Sequence, residues 1–444
     1  MKKLLFILLY VLSPVLLAYV LFIDNPSKYL STNLIYSMGL GAFAYTWLTW
    51  QFVISARVKW IESSFGQDRL YRIHGLIAII SIVFALIHKS INENIFSESL
   101  LTQVGSIALS IFIGITVLTL VVMVNNSLHN IKLMRNLKNF LLKIKVFRYQ
   151  HTRALHNLTI IALLALQAHV LLTSSAHNSP FVFNVYMLYF LLAFNFYLYH
   201  KFVKPWVMKN DYYYVTRVVQ ETDLVSSIYF KPKNKKKLNY QPGQFGFFKF
   251  MGPDISNEEH PFSISSSPTQ DEISITVKQL GDYTKTINQI KANNLVYVEA
   301  PFGRFSYLYH KKEKGLVFIV GGIGITPVLS MLRHLRDTQS KKPVVVILGF
   351  NTMDEFVAKD EVLAIGENMP NIKIIPVIAK DSSFSGEKGF IDKARLTRLL
   401  KELKWASQAG YYVCGPAILM NQSLKNLKEL GIHHSRIHHE KFSL

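Results

Sequence analysis

The chain has 444 residues, half of them apolar and 17% charged, with a formal net charge of +21. Its single cysteine, Cys414, excludes an intrachain disulfide and a cysteine-held metal cluster. The excess charge does not point to nucleic acid, and no such partner is expected, because much of it sits in loops beside long apolar runs, where Lys and Arg fix membrane topology.

Residues 1–203 contain six apolar runs near the ~20 residues that cross a bilayer: 4–23, 33–55, 71–89, 104–125, 154–173 and 181–203. The first has too long an apolar part for a secretory signal and lacks a small-x-small cleavage site before a soluble domain, so it reads as a span. Arg57, Lys59 and Arg69 follow the second run. Lys132, Arg135, Lys138, Lys143, Lys145, Arg148 and Arg153 follow the fourth, and Lys204 and Lys209 the sixth. The other loops hold only Lys28 and Lys89 near them. The basic side marks the cytoplasm. The expectation is a multi-pass protein of the cell membrane, in contact with the lipid bilayer, with both termini cytoplasmic.

The third run carries His74 and His88. Fourteen helical residues set them ~21 Å apart along the axis and only ~40° apart around it. The fifth run carries His156 and His169, ~19.5 Å apart. Side by side, two such helices offer two levels with a histidine from each, which suits two stacked haems, each iron held between two imidazoles. A lone histidine in an apolar helix is usually a packing residue; four in two matched pairs, at a depth where polar groups are costly, favour ligands. Thirteen residues turn a straight helix by ~220°, so His156 and His169 share a face only if that helix is irregular or tilted. His151 and His169 would share one, but ~27 Å apart, which does not match the other pair.

The loop 126–153 has Ile131, Met134, Leu137, Leu141 and Ile144 at helical spacing among its lysines and predicts an interfacial helix. The lysine-rich run 231–237 reads as a solvated turn. From Tyr212 the pattern changes to period two, and six short strands with Gly and Pro turns predict a small antiparallel β-barrel. After Lys314, apolar strands at 315–320, 344–350, 372–379 and 411–415 alternate with helical segments and predict a doubly wound parallel sheet. The first of these strands runs into Gly321-Gly-Ile-Gly-Ile-Thr-Pro327, a glycine-rich turn opening a helix, which can take a pyrophosphate on free N–H groups. The last runs into Cys414-Gly-Pro416. Both turns fall at strand carboxyl ends, where such folds bind ligands.

His260-Pro-Phe-Ser-Ile-Ser-Ser-Ser-Pro268, Pro301-Phe-Gly303, Gly321–Pro327 and Cys414-Gly-Pro416 occur in the order found in the ferredoxin-NADP reductase superfamily. Joined to six spans and two histidine pairs, the chain resembles the ferric reductase and NADPH oxidase family of flavocytochromes b, over nearly its whole length. The resemblance implies a multidomain membrane protein: a six-helix haem-binding transmembrane bundle over 1–209, an FAD-binding β-barrel over 210–312 and an NAD(P)H-binding α/β domain over 313–444. It implies that His74, His88, His156 and His169 hold two b-type haems. His260, Pro261, Phe262 and Ser263 would line the flavin, with Ser263 able to hydrogen-bond its N5. Lys278 and the Gly281–Thr284 turn match the next flavin-side element. Pro301, Phe302 and Gly303 would help hold the FAD pyrophosphate. Gly321, Gly322, Gly324, Thr326 and Pro327 would take NADPH or NADH, with Cys414, Gly415 and Pro416 beside the hydride path. Phe442 matches an aromatic that covers the flavin and moves aside for nicotinamide. A flavin takes two electrons and releases them singly, so it belongs between a hydride donor and a haem. The implied activity is electron transfer from cytosolic NAD(P)H through FAD and the haems to an external acceptor, O2 or ferric iron; nothing requires a protein partner.

Two departures bear on substrate. The stretch Gly349–Glu355 lacks the Arg with which NADPH-specific relatives meet the 2′-phosphate, so NADH is expected to serve as well. Well-studied oxidases of the family carry a His four positions after the outer haem ligand and an Arg in the second span; here the first position is Asn92, and the second span has no Arg before Arg57. The acceptor therefore stays open between O2, a ferric chelate and a protein.

Overall fold

The computed structural model describes residues 2–24, 31–93, 99–122, 132–144, 149–234, 236–256, 258–381 and 383–441. Lys28, Lys145, Arg148 and Phe442 lie outside the described residues. The chain packs into two compact units, Met1–Lys204 and Pro205–Leu444.

The first unit is helical. Its elements are α1 (Lys2–Asp24), α2 (Thr32–Ser55), α3 (Lys59–Phe65), α4 (Gln67–Glu93), α5 (Leu100–Val122), α6 (Lys132–Lys143), α7 (Tyr149–His156), α8 (Thr159–Leu171), α9 (Ser174–Asn178) and α10 (Pro180–Leu198). A π-turn at Tyr199–Val203 leads into α11 (Lys204–Asn210). Helix starts follow local chemistry. Ser179 Oγ accepts from Val182 N at 3.3 Å, and Pro180 opens α10, where its missing N–H costs nothing. Among the described residues five helical stretches are long and apolar enough to cross a membrane: Lys3–Asp24, Arg69–Glu93, Leu100–Val122, Ala154–Leu171 and Pro180–Asn210. Helix α2 has 24 residues, but it buries Ser37, Thr46, Thr49 and Gln51, which dilute its apolar character. Only α6 and α7 occupy the described part of the loop expected to lie at an interface, and α6 exposes Leu133, Leu137 and Phe140 between its basic residues.

The fifth run is not one helix. It breaks after His156, and α8 resumes at Thr159. Across the break Asn157, Leu158, Ile160 and Ile161 donate to carbonyls three residues back, at 2.9–3.2 Å. A residue in such a tightened turn rotates by about 120° rather than about 100°. Four of them add roughly 80°, carrying the His156–His169 separation from ~220° to within about 60° of a shared face.

The second unit holds two sheets. Strands β1 (Tyr213–Thr222), β2 (Val225–Pro232), β3 (Phe245–Met251), β4 (His260–Ser263), β5 (Ile273–Lys278) and β6 (Leu295–Phe302) form a wholly antiparallel sheet of order β4-β3-β6-β1-β2-β5. Its two outer strands meet at an Ile264–Ile275 bridge. The alternating side chains Val215, Ile228, Phe230, Phe248, Phe250, Ile275 and Val296 fill one core, and the short helix α12 (Asp282–Thr286) adds Tyr283 to it.

Strands β7 (Gly315–Gly321), β8 (Val344–Phe350), β9 (Ile372–Ile378), β10 (Glu387–Lys388), β11 (Ala409–Cys414) and β12 (Ile437–Glu440) form a wholly parallel sheet of order β10-β9-β8-β7-β11-β12. Helices α13 (Ile325–Asp337) and α14 (Lys359–Asn368) cover one face, with Leu316, Phe318 and Val320 beneath them. Helices α15 (Lys393–Lys401) and α16 (Ala417–Glu429) cover the other, over Val317 and Ile319. Residues of one strand thus feed opposite cores in alternation, as two-sided burial requires. The edge strands β10 and β12 carry the polar sequences Glu-Lys and Ile-His-His-Glu, which lack the apolar signature of the four inner strands.

The two sheets are joined through α13. Arg333 Nη1 donates to Ser265 O at 2.9 Å, and Ser330 Oγ to Ser266 O at 2.5 Å. Arg333 also grips Glu361 at 2.6 Å, and Arg336 Nη1 holds the same carboxylate at 2.7 Å. Burial pushes the Glu361 carboxyl up, but hydrogen bonds and charge from Arg333 and then Arg336 outweigh it and hold it below its ordinary value. A depressed carboxylate contributes stability above its unfolded value and loses it as pH falls through the folded one. Arg333→Met is therefore expected to destabilise this unit by about 2–3 kcal/mol at neutral pH, with the difference shrinking below the ordinary carboxyl value of 4.5. Denaturant unfolding at two pH values measures it; a loss under about 0.5 kcal/mol would refute the role.

Candidate functional site

The helical unit brings the four histidines together in two pairs. The rings of His74 (α4) and His156 (the last residue of α7) have centroids 6.2 Å apart. Those of His88 (α4) and His169 (α8) lie 6.3 Å apart. Two imidazoles bound to one ion, with metal–nitrogen bonds of ~2.0 Å and ~1.1 Å from nitrogen to ring centre, would have centroids roughly 6.2 Å apart.

The outer ring nitrogens are positioned by oxygen acceptors. His88 Nδ1 lies 2.8 Å from Ser37 O and His169 Nδ1 2.9 Å from Leu101 O. His156 Nδ1 lies 3.3 Å from Thr119 Oγ1, whose own proton goes to Ile115 O at 2.7 Å. In each case the proton belongs on Nδ1, and the lone pair is left on Nε2. His74 Nδ1 is buried with no hydrogen-bond partner among the described residues. Beside His88, the Asn92 amide nitrogen stands 3.2 Å from Nε2 and Ser37 Oγ donates to Asn92 Oδ1 at 3.1 Å.

Two glycines make room for these rings. A Cβ at Gly105 would come within 2.6 Å of His169 Nδ1, and one at Gly41 within 3.0 Å of His88. Gly41, Gly105, Ser37 and Thr119 were not visible as site residues in the sequence: single small residues in apolar helices carry no pattern until a partner helix is placed against them.

In the second unit, His260, Pro261 and Phe262 of β4 are half-buried and Ser263 is buried. Ser263 Oγ has no hydrogen-bond partner among the described residues, an arrangement that costs free energy unless a ligand supplies one. Tyr283 stacks on His260, centroids 3.6 Å apart, and lies 6.5 Å from the Phe262 ring. His260 Nε2 meets Glu258 at 3.0 Å. Phe302 is fully buried against Phe245 and Phe247, so its ring belongs to the core. Gly303 takes φ +89, its carbonyl accepts from Gln244 Nε2 at 2.9 Å, and a Cβ there would press on Phe245 and Glu440.

The parallel sheet sets the other two motifs edge to edge. Val320 of β7 pairs with Cys414 of β11. A Cβ at Gly324 would lie 2.6 Å from the Cys414 carbonyl and Gly415 Cα, and one at Gly415 3.0 Å from the Gly321 backbone. The chain reverses its winding at β7, between β8 and β11, and this is the crevice where doubly wound sheets bind ligands. Gly322, at φ +51, has open space where a Cβ would be. Thr326 is buried with its hydroxyl donating to Ile323 O at 3.0 Å, and Pro327 is buried behind it. Gly415 is half-buried and Pro416 exposed. The Cys414 thiol is fully buried; burial pushes its pKa well up, and the Glu440 charge adds to this, so it is a neutral packing group below the turn.

Residues 213–321 match the family profile described as FAD-binding domain, and residues 318–425 that described as oxidoreductase NAD-binding domain. The flavohemoprotein of Bacillus subtilis (strain 168) is 28% identical over 234 residues, 51% of this chain and 58% of that protein. Flavohemoprotein B of Dictyostelium discoideum is 28% identical over 253 residues, 51% of this chain and 58% of that protein. The chain thus spans less than two thirds of the length of these relatives. Among solved structures, the flavohem-like FAD/NAD-binding domain of nitric oxide dioxygenase from Vibrio cholerae O1 biovar El Tor aligns at 24% identity and TM-score 0.46, over 52% of this chain and 98% of that one. Flavohemoglobin from Malassezia yamatoensis aligns at 17% identity and TM-score 0.48, over 93% of this chain and 96% of that one.

With its matched pair of domains and the two facing turns, the second unit is an FAD- and NAD-binding oxidoreductase module. The two matched domains, in this order, are those of the C-terminal module of the ferric reductase and NADPH oxidase family.

Proposed function

We propose that the chain is a transmembrane electron-transfer oxidoreductase. It takes electrons from NAD(P)H on the cytoplasmic side and delivers them, by way of FAD and two b-type haems, to O2 outside, forming superoxide. The observation that carries this reading is the pair of histidine levels with centroids 6.2 and 6.3 Å apart, each spaced for an ion between two imidazoles. We read α2 as a sixth span, the antiparallel sheet as a closed barrel and the basic loops as cytoplasmic.

In this reading His74 and His156 hold the inner haem, and His88 and His169 the outer one. Ser37, Leu101 and Thr119 keep the lone pairs on Nε2. Ser263 offers its unshared hydroxyl to the flavin, and Phe262 and Tyr283 bound its ring. Gly321–Gly324 takes the pyrophosphate of the nicotinamide dinucleotide on backbone N–H groups, and Gly415 keeps the facing turn clear of it. When bound, the flavin converts a two-electron hydride donor into single electrons that haem iron can carry.

A ferric-chelate reductase is the second reading, favoured by Asn92 standing against His88 and by the absence of a cationic side chain from α2. A haem carrier feeding a protein partner is the third. Anaerobic reduction followed by admission of O2 or a ferric chelate separates them. Superoxide dismutase-sensitive reduction of cytochrome c supports the first reading. Ferrous chelate without superoxide supports the second, and turnover on neither the third.

The coenzyme follows from the end of β8. Glu355 is held by Asn351, whose amide nitrogen lies 3.1 Å from both carboxylate oxygens. A carboxylate here accepts from ribose hydroxyls and repels a 2′-phosphate. NADH is expected to exceed NADPH by about tenfold in kcat/KM, equivalent to ~1.4 kcal/mol, and Glu355→Gln to narrow the gap. Equal or inverted ratios in the parent chain would count against this site.

A further inference from the structure

We propose that His310, Glu313 and His438 form a binding site for a divalent transition-metal ion of the zinc type. The three residues come from separate places in the second unit. His310 follows the single 3-10 turn Tyr307–Tyr309, Glu313 lies just before β7, and His438 is on β12. Their donor atoms all lie within 4.8 Å of one another. The side chains of His438 and Glu313 are only 13% and 8% exposed, while His310 is half-buried and leaves a way in from solvent.

The carboxylate is placed by groups that are not themselves donors to the site. Glu313 Oε2 accepts from Tyr412 Oη at 2.8 Å, and its backbone carbonyl accepts from Lys342 Nζ at 2.7 Å. Gly410 leaves the space the carboxylate occupies: a Cβ there would lie 1.9 Å from Oε2. The other oxygen, Oε1, points at His438 Nε2, 2.6 Å away. The His310 and His438 rings stack, centroids 3.8 Å apart. Two imidazoles and one carboxylate, with a hydroxyl orienting the carboxylate from behind, are a donor set suited to zinc, with remaining positions for water.

Binding exchanges the proton shared between His438 Nε2 and Glu313 Oε1 for the ion, and that proton goes to solvent. Metal–ligand bonds of ~2.0–2.2 Å require the three donors to rearrange around the ion, with the half-buried His310, just after the 3-10 turn, moving most. No electron passes through the site. Its effect is mechanical: it ties β12 to the segment ahead of β7, and β12 ends at Glu440, whose carboxylate borders Gly303.

The test uses the full chain in detergent, loaded with its cofactors, stripped of loose metal and titrated with Zn2+ by calorimetry, with zinc-edge X-ray absorption on the complex. One equivalent in a nitrogen-and-oxygen shell is expected. His310→Gln and His438→Gln should each weaken it at least about 100-fold, and Tyr412→Phe about 10–100-fold with the stoichiometry kept. His433→Gln, in the neighbouring exposed histidine pair, should change nothing. FAD content checks that each variant folds; should His438→Gln lose FAD, Tyr412→Phe decides. No saturable binding, or binding indifferent to all three substitutions, overturns the proposal and leaves a hydrogen-bonded cluster only.

Discussion

His74→Ala and His156→Ala are each expected to cut the b-type haem content from about two per chain to about one, and His88→Ala and His169→Ala to do the same at the other level. Each pair stands about one imidazole–metal–imidazole distance apart, 6.2 and 6.3 Å. Removing one would leave a haem at that level a single histidine to hold it. The other level keeps both of its histidines, because the levels share none. Electron delivery to an external acceptor should fall by at least about 100-fold in all four variants, since either loss breaks a series path. Haem content by pyridine haemochrome and the reduced-minus-oxidised difference spectrum measure this. Unchanged content and an unchanged spectrum in any of the four would remove that residue from the site.

Gly322→Glu should abolish reduction by NADH and NADPH, a loss of at least about 1,000-fold, while leaving haem and FAD content intact. Gly322 adopts φ +51 with open space before it. A Cβ there meets nothing within 4 Å, so the cost to the folded state is mainly the left-handed backbone, about 1 kcal/mol. That side chain enters the crevice at the start of α13 and sets a carboxylate where a pyrophosphate would lie, against the same N–H groups. Dithionite should still reduce the haems of this variant. The contrast is Gly324, where a Cβ would strike the Cys414 and Gly415 backbone at 2.6 Å. Gly324→Val is expected to damage the fold and not the coenzyme step alone. Persistent reduction by NADH in Gly322→Glu would move the dinucleotide site elsewhere.

The strands and the two glycine turns were legible in the sequence because they carry dense local signals. Leu316–Val320 is a run of consecutive apolar residues that only a strand buried on both faces explains. The edge strand β12 was not legible, because Ile-His-His-Glu has no apolar period and becomes a strand only by pairing with β11. The candidate histidines stood out by type, yet their spacing of thirteen did not fit a straight helix. The tightened turn after His156 supplies the missing rotation, through hydrogen bonds that no residue pattern announces. Three-dimensional proximity accounts for the rest. Ser37 lies 51 positions from His88 and Leu101 lies 68 from His169, too far for any window of sequence to connect them. Tyr283 was noted only within its turn, and its stacking on His260 appears once α12 folds over the first sheet. Cys414 drew notice as part of a motif; its side chain is fully buried, and it is the backbone around Gly415 that lies against the glycine turn.

The central claim is an electron path from pyridine nucleotide to haem within one polypeptide. It is tested most directly by adding NADH anaerobically to the purified full chain supplied with FAD and recording the haem spectrum. The account predicts reduced low-spin b-type bands from about two haems per chain, dependent on FAD and absent in Gly322→Glu. A chain that binds no haem, or whose haem stays oxidised under NADH while dithionite reduces it, would contradict it.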